Sequence, residues 1–311
     1  MRETSQIAEI LLAAYNGEKY ICAQIDSILA QEDERWHLTI SDDGSTDGTP
    51  SIIDEYVQRY PQRISRYCSG KRFGNARDHF FHLMQVCDAP YMLFCDQDDV
   101  WYPQKVGKVL DAMIREERQY GKDMPVLAFT DQTPTDEQLR PLAPSLMRYQ
   151  QQFFERFDYR SILMQNVVTG GAMGINRALA DMAGHCGDSS QTIMHDWWLA
   201  VVAARFGQVV YIDEPLSDYR QHGSNSVGAK DVHSIDYIRS VLSNLAEMKR
   251  RVQAKKGQAA IFFQTFEKML TQEDKLFLKG FIKKRSGAAF FIRYSGLIHG
   301  FSRLAGMILL G

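Results

Sequence analysis

Through the first 130 residues, short apolar runs alternate with stretches of helical periodicity, the pattern of stacked βα units. Ile7 to Tyr15 is a nearly unbroken apolar run closed by Asn16-Gly17, which predicts a buried strand and a turn. Ile21, Ile25, Ile28 and Leu29 fall at helical spacing, and Leu38 to Ile40 predicts a second strand, stopped by Ser41-Asp42-Asp43-Gly44. Thr49 and Pro50 suit an N-cap and a first helical position for a helix reaching about Tyr60. After a glycine-bearing loop, Ala76 to Val86 predicts a helix and Tyr91 to Cys95 a third strand running into Asp96-Gln97-Asp98-Asp99. Val106, Val109, Leu110 and Met113 mark the next helix, and Val126 to Phe129 a fourth strand.

Beyond Thr130 the alternation loosens. Residues 131–160 carry polar and proline-rich patches, expected as a long loop or subdomain. Val167 to Ile175, with Gly170 and Gly171 inside, predicts a bent strand; His195 to Phe206 predicts a helix and Val209 to Ile212 a strand. Residues 234–285 predict helices rich in Lys and Arg, and residues 286–311 are apolar and aromatic.

Charge changes this picture more than composition does. The whole chain of 311 residues carries a formal net charge of −2, with 45% hydrophobic residues, ordinary for a globular protein and no advertisement for nucleic acid. Residues 231–311, however, hold 14 Lys and Arg against 6 Asp and Glu, a net of +8 on a body of −10. Basic clusters at Lys249, Arg250, Arg251, Lys255, Lys256 and at Lys279, Lys283, Lys284, Arg285 precede Phe290, Phe291, Tyr294 and Phe301. That combination suits an anionic membrane surface, or packing on the rest of the chain or on a second subunit. Cys22, Cys68, Cys87, Cys95 and Cys186 are scattered without a Cys-X-X-Cys pair, which fits a reducing cytoplasm better than a disulfide framework. No signal peptide and no uninterrupted apolar run of roughly 18 residues is present, so the expectation is a cytoplasmic protein, peripheral on the inner face of the membrane.

The candidate chemistry sits where strands end. In open α/β sheets ligands gather outside the carboxyl ends of the strands, and here two strands end in Asp42-Asp43 and in Asp96, Asp98 and Asp99. Clustered carboxylates repel one another unless a cation lies between them, and such groups suit Mg2+ or Mn2+ shared with phosphates. Asp42-Asp43-Gly44 taken alone reads equally as a solvated turn.

Ala13-Ala14-Tyr15-Asn16, Asp42-Asp43-Gly44-Ser45-Thr46-Asp47 and Asp96-Gln97-Asp98-Asp99, in this order and spacing, resemble the nucleotide-sugar half of family-2 glycosyltransferases, over roughly residues 5–228. The resemblance implies a GT-A fold, a Rossmann-like α/β catalytic domain over residues 1–230 with nucleotide-sugar (1–130) and acceptor (131–230) halves, and a basic helical extension over 231–311. It implies that Ala13, Ala14, Tyr15 and Asn16 line the nucleobase pocket and that Asp43 or Asp42 accepts from the base. Asp96 would lie near the ribose, with Asp98 or Asp99 on a Mn2+ or Mg2+ ion that bridges the diphosphate. Asp196, in His195-Asp196-Trp197-Trp198, looks like the base of an inverting transfer, although an Asp there also reads as a helix cap. His195, Trp197, Trp198 and the Gly170-Gly171 floor would meet the acceptor, with one tryptophan serving the core. Arg220 and His222 would close over the diphosphate, His222 as a metal ligand, and Asn75, with Arg72 and Arg77, lies within possible reach of the nucleotide.

The Asp-Gln-Asp-Asp-Val-Trp, His-Asp-Trp-Trp and Arg-Gln-His-Gly strings look most like bacterial rhamnosyltransferases of surface-polysaccharide assembly. The implied donor is dTDP-β-L-rhamnose, a UDP-sugar being the alternative, and the acceptor a glycan or lipid-linked oligosaccharide. A homo-oligomer is compatible with the sequence. No Gly-X-Gly-X-X-Gly follows the first strand, against a dehydrogenase. The missing Gly-rich basic loop argues against a sugar nucleotidyltransferase, and the intact carboxylates against a non-catalytic glycan-binding module.

Overall fold

A computed structural model describes residues 6–150, 157–184, 189–223, 245–283, 290 and 294. Its centre is an eight-stranded sheet of order β3-β2-β1-β4-β7-β6-β8-β5. The strands are β1 (Ala8–Ala14), β2 (Trp36–Asp42), β3 (Ile64–Tyr67), β4 (Tyr91–Asp96), β5 (Val100–Trp101), β6 (Val126–Thr135), β7 (Met173–Asn176) and β8 (Gln208–Arg220). β1 to β4 are mutually parallel where they pair, as βα crossovers require. β7 runs antiparallel to both β4 and β6, and β8 lies parallel to β6 with register shifts around Asp131.

Helices cover both faces, which is why the central strands read as continuous apolar runs. On one face α1 (Ile21–Leu29), α2 (Thr49–Arg59) and α4 (Lys105–Tyr120) meet Ile10, Leu12, Leu38, Ile40, Leu93 and Cys95. On the other, α3 (Ala76–Val86), α6 (Tyr159–Met164), α7 (Arg177–Gly184) and α8 (His195–Phe206) meet Leu11, Met92, Phe94, Leu127 and Phe129. A short α5 (Leu146–Tyr149) follows β6 and is capped by Ser145.

The basic extension supplies α9 (Leu245–Phe266) and α10 (Gln272–Ile282), and these share the second core. Trp198 and Phe206 of α8 pack on Phe262 and Phe266 of α9. Burying a Phe side chain contributes about 1.5–3 kcal/mol, so this seam is a substantial attachment. Asp274 of α10 fastens it: Arg205 donates at 2.6 and 2.9 Å, Tyr159 at 2.6 Å and Thr271 at 2.7 Å. Among the described residues no helix is long and apolar enough to cross a membrane. Cys186, Ser224 and Asn225 lie outside the described residues, as does most of the aromatic 286–311 segment.

Several elements differ from expectation. Gly48, not Thr49, is the N-cap of α2, because Asp47 takes up both the amide and the hydroxyl of Thr49. β3 and β5 are too short to carry a periodic signal. β6 extends through Thr135 despite its polar sequence, since β8 pairs with it to that point. Gly170–Ala172 is a 3-10 turn rather than strand.

Candidate active site

Because β1, β2 and β4 are parallel, their acid-bearing ends share one rim: Ala14 pairs with Asp42 and Ala13 with Asp96, so β1 ends between the two carboxylates. The antiparallel course of β7 brings its entry, Gly170–Ala172, to that same rim beside Asp96.

The β1 end is a locked turn. Gln97 grips the Tyr15 peptide twice, accepting from its N–H and donating to its carbonyl, both at 2.9 Å. Asn16 takes a left-handed φ of 50° and accepts from the Thr46 amide at 2.9 Å. Asp42 is bound by the Ser45 amide and hydroxyl. Asp43 accepts the amides of Phe73 and Gly74 at 2.5 and 2.7 Å, fixing the loop ahead of α3. Arg72 on that loop donates to the Tyr15 hydroxyl at 2.6 Å and lies 4.8 Å from its ring centroid, so Ala13–Tyr15, Asp43 and Arg72 border one recess. Asn75 is the N-cap of α3 and is taken up by Asp78, while Arg77 reaches the carbonyls of Ser190 and Thr192.

At the β4 end the carboxylates crowd. Burial, then the charges of Asp98 and Asp196, push Asp96 up to about 7. Burial and the charges of Asp98 and Asp96 push Asp99 well above the usual range. Asp99 is 0% exposed, between the Arg220 amide at 3.3 Å and Gln132 Nε2 at 3.4 Å. Asp98 instead faces His222, Oδ2 to Nε2 at 2.7 Å, and the His222 ring rests on Tyr20. Arg220 spans the gap, donating to the carbonyls of Asp98 at 2.9 Å and Glu137 at 2.8 Å and stacking on Tyr20.

Among the described residues no three carboxylate, imidazole or thiol groups are already gathered as a cation cage. An ion that bridges phosphates needs only one or two protein carboxylates, the remaining ligands being phosphate and water. Asp98 and Asp96 supply carboxylate oxygens of the right chemistry for Mg2+ or Mn2+, with the His222 imidazole against Asp98.

The Gly170-Gly171 turn joins this cluster to Asp196. Gly171 faces Asp96 and Asp99, and Gly170 faces His195 and Asp196. A Cβ on Gly171 would stand 2.7 Å from Asp96 Oδ2 and 3.1 Å from Asp99 Oδ2, so only glycine lets the backbone this close. Asp196 lies in the first turn of α8, accepts the Trp197 amide at 2.5 Å, and is pushed up to about 7 by burial. His195 turns inward: it is 2% exposed, packs 4.4 Å from Phe80 and 5.2 Å from Phe94, and among the described residues neither ring nitrogen has a partner. Burial pulls it down to about 3, so it is neutral. Trp198 is fully buried and donates to the Ala183 carbonyl, which makes it core and leaves it no surface for an acceptor. Trp197 is partly exposed, anchored through Nε1 to the Ile162 carbonyl, with Lys255 of α9 over its ring.

Lys105 is the residue that sequence reasoning missed. It is 1% exposed, donates to the Gly171 carbonyl at 2.6 Å and sits 4.1 Å from the Trp101 ring centroid. Burial pulls its ammonium down to about 8, against the charges of Asp99 and Asp96 that hold it up. A signal existed: Lys105 opens α4, where the helix dipole disfavours a cation.

The protein-family model described as Glycosyl transferase family 2 matches residues 9–182, more than half of the chain. The dTDP-rhamnosyl transferase RfbG of Shigella flexneri is 30% identical over 236 residues, which cover 73% of this chain and 77% of that protein. Among solved structures the fold resembles S. aureus TarS 1-349 in complex with UDP-GlcNAc, with a TM-score of 0.56 and 13% identity over 97% of this chain and 90% of that one. It also resembles the mannosyltransferase PcManGT of Pyrobaculum calidifontis, in complex with GDP-Man and Mn2+, with a TM-score of 0.54 and 14% identity over 98% and 79% of the two chains. At such identities the two structures bear on the fold alone.

Proposed function

The chain belongs to glycosyl transferase family 2 and has the GT-A fold, and from that premise we propose that it is an inverting transferase of L-rhamnose from dTDP-β-L-rhamnose onto a cell-surface glycan or its lipid-linked precursor. The observation that carries the reaction type is the placing of Asp96 against Gly171 and of Asp196 against Gly170, near enough for the charge of Asp196 to raise Asp96. One carboxylate faces the donor's leaving group and the other the attacking hydroxyl, held in fixed relation by one turn of backbone. The rhamnose assignment is supported by the RfbG relationship.

In this mechanism the recess bordered by Tyr15, Asp43 and Arg72 receives the base, and Asp96 the ribose side of the nucleotide. Asp98, with Asp96 and His222, would hold Mn2+ or Mg2+ against the diphosphate. When bound, the ion offsets the charge that builds on the departing nucleoside diphosphate. Asp196 takes the proton of the acceptor hydroxyl as that oxygen attacks the anomeric carbon. A carboxylate pushed up to about 7 by burial is well matched to that task near neutral pH. The Gly170-Gly171 turn and Trp197 form the adjoining wall, on which the acceptor sugar would rest; His195, expected there from the sequence, is turned into the core against Phe80 and Phe94 instead. The net charge of +8 over residues 231–311 supports peripheral contact with an anionic, cytoplasm-facing leaflet, where a lipid-linked acceptor would be met.

The test offers dTDP-rhamnose, UDP-glucose, UDP-galactose and UDP-N-acetylglucosamine with Mn2+ or Mg2+, and measures nucleoside diphosphate release with and without EDTA. Turnover of dTDP-rhamnose that EDTA abolishes is the expected result. Turnover of a UDP-sugar alone would move the donor assignment, and no turnover of any sugar nucleotide across a broad acceptor panel would remove the reaction.

A further inference from the structure

Asp196 must stay fixed to serve as the base, yet helix α8 does not hold its own start. Its N-cap is Met194, extended at φ −148° and ψ 157°, a residue whose side chain has no oxygen to accept the first-turn amides. The position of Asp196, in that first turn, therefore depends on the chain that leads into α8. We propose that residues 190–193 are a brace for the base, tied on one side to the donor recess by Arg77 and on the other to α9 by Gln258, both acting as positioning residues. The inference rests on the transferase reading above and deepens it.

Arg77 lies in the first turn of α3, directly behind the loop of Arg72, Phe73 and Gly74 that borders the nucleobase recess. Every nitrogen of its guanidinium is used. Nε and Nη2 donate to the two Asp78 oxygens at 2.9 and 3.1 Å, while Nη1 donates to the carbonyls of Ser190 at 2.9 Å and Thr192 at 3.0 Å. A cation in the first turn opposes the helix dipole, so local preference does not explain this arginine; its contacts do. A planar fork can meet a carboxylate and two carbonyls at once, which a lysine ammonium does not reproduce. From the other side Gln258, 0% exposed, accepts the Ile193 N–H through Oε1 at 2.9 Å. Lys255, on the same helix, donates to the Met164 carbonyl at 2.6 Å and stands 5.7 Å from the Trp197 ring centroid. Helix α9 thus touches the chain both before and after Asp196, and the brace joins the nucleotide half to the basic extension.

A split between turnover and binding separates this role from plain scaffolding. The experiment uses full-length protein with dTDP-rhamnose, or the UDP-sugar that replaces it, and measures kcat, KM and, by calorimetry, the affinity for the nucleoside diphosphate. The variants are Arg77→Met, Arg77→Lys, Gln258→Met and the double variant Arg77→Met with Gln258→Met, all assayed well below their thermal midpoints. Expected in Arg77→Met is a fall in kcat on the order of tenfold, as for a displacement of about half an ångström, with nucleotide affinity unchanged. Arg77→Lys, which keeps the charge but not the fork, should fall between this variant and wild type. Gln258→Met should show the same split, and the two losses should be less than multiplicative in the double variant, since either release frees the same loop. Unchanged kcat in folded Arg77→Met, a loss confined to nucleotide affinity, or fully multiplicative losses in the double variant would overturn the proposal. If Arg77→Met does not fold, Arg77→Lys and Gln258→Met decide: lowered kcat at unchanged nucleotide affinity supports the brace, and wild-type kcat in either overturns it. Wild-type protein that turns over no sugar nucleotide would instead strike the transferase reading itself, and the brace with it.

Discussion

Gly171→Ala is the sharpest single perturbation of this site. The new Cβ would lie 2.7 Å from Asp96 Oδ2 and 3.1 Å from Asp99 Oδ2. An ordinary C···O contact is about 3.3 Å or more, so Asp96 must retreat by about 0.6 Å or the turn must move as far. The left-handed glycines are Gly44, Gly70, Gly74 and Gly121, so alanine at 171 adds no such backbone strain. The effect should therefore fall on geometry more than on folding. If a 1 Å misplacement costs roughly a hundredfold in rate, 0.6 Å costs roughly 15-fold, or about 1.6 kcal/mol of barrier. The assay is kcat/KM for the sugar nucleotide at saturating acceptor and metal, with the thermal midpoint measured alongside. Gly257→Ala is the control: nothing lies within 4 Å of its Cβ and it is inside α9, so turnover should be unchanged and stability equal or slightly higher. Gly171→Ala with turnover within twofold of wild type would refute the close approach of this turn to Asp96.

Other consequences follow from the same site and from its attachment. Asp196→Asn should bind the sugar nucleotide normally in calorimetry yet lose transfer by roughly a hundredfold or more; near-normal turnover would move the base elsewhere. Burial pushes Asp196 up to about 7, so the base is protonated below that and charged above it. The profile of kcat/KM should accordingly rise with pH through about 7, and an acid limb near 4 instead would contradict that environment. Asp98→Asn should abolish the metal dependence of nucleotide binding in a thermal-shift titration, whereas persistence of that dependence would remove Asp98 as ligand. At Asp274 burial alone would raise the carboxyl, but hydrogen bonds from Tyr159, Thr271 and Arg205 outweigh it and hold the group far below the usual range. Its stabilisation is thus present above about pH 4 and lost as pH falls further. Asp274→Asn should cost about 3 kcal/mol at neutral pH and flatten the acid limb of a denaturation series; an unchanged midpoint would show that the α8–α10 clasp contributes little.

The strand ends were legible because their signal is local. An apolar run that stops in Asp-Asp-Gly or Asp-Gln-Asp-Asp states both the strand and the polar rim, whatever lies far away. The alternating βα order of the first 130 residues and the candidate acids at Asp42, Asp43, Asp96, Asp98 and Asp99 came from such text, while Asp196 came from the resemblance of His195-Asp196-Trp197-Trp198 to a family motif. β3 and β5 did not, since four and two residues are too few for a period to appear.

Tertiary structure decided what each side chain faces, because that depends on elements far apart in sequence. Trp197 and Trp198 are adjacent in the chain, yet the turn of α8 leaves one at the surface and buries the other against α9. Asp98 and Asp99 look interchangeable as letters, but His222 and Lys105, arriving from the end of β8 and the start of α4, give them different surroundings. Lys105 shows the limit most clearly: a lysine in a polar helix start reads as solvated, and only the closure of β8 over α4 takes it out of water. The sequence by itself determined which chemistry was present and at which rim. Burial and charge at that rim are sums over the whole fold, and only the folded chain could decide them.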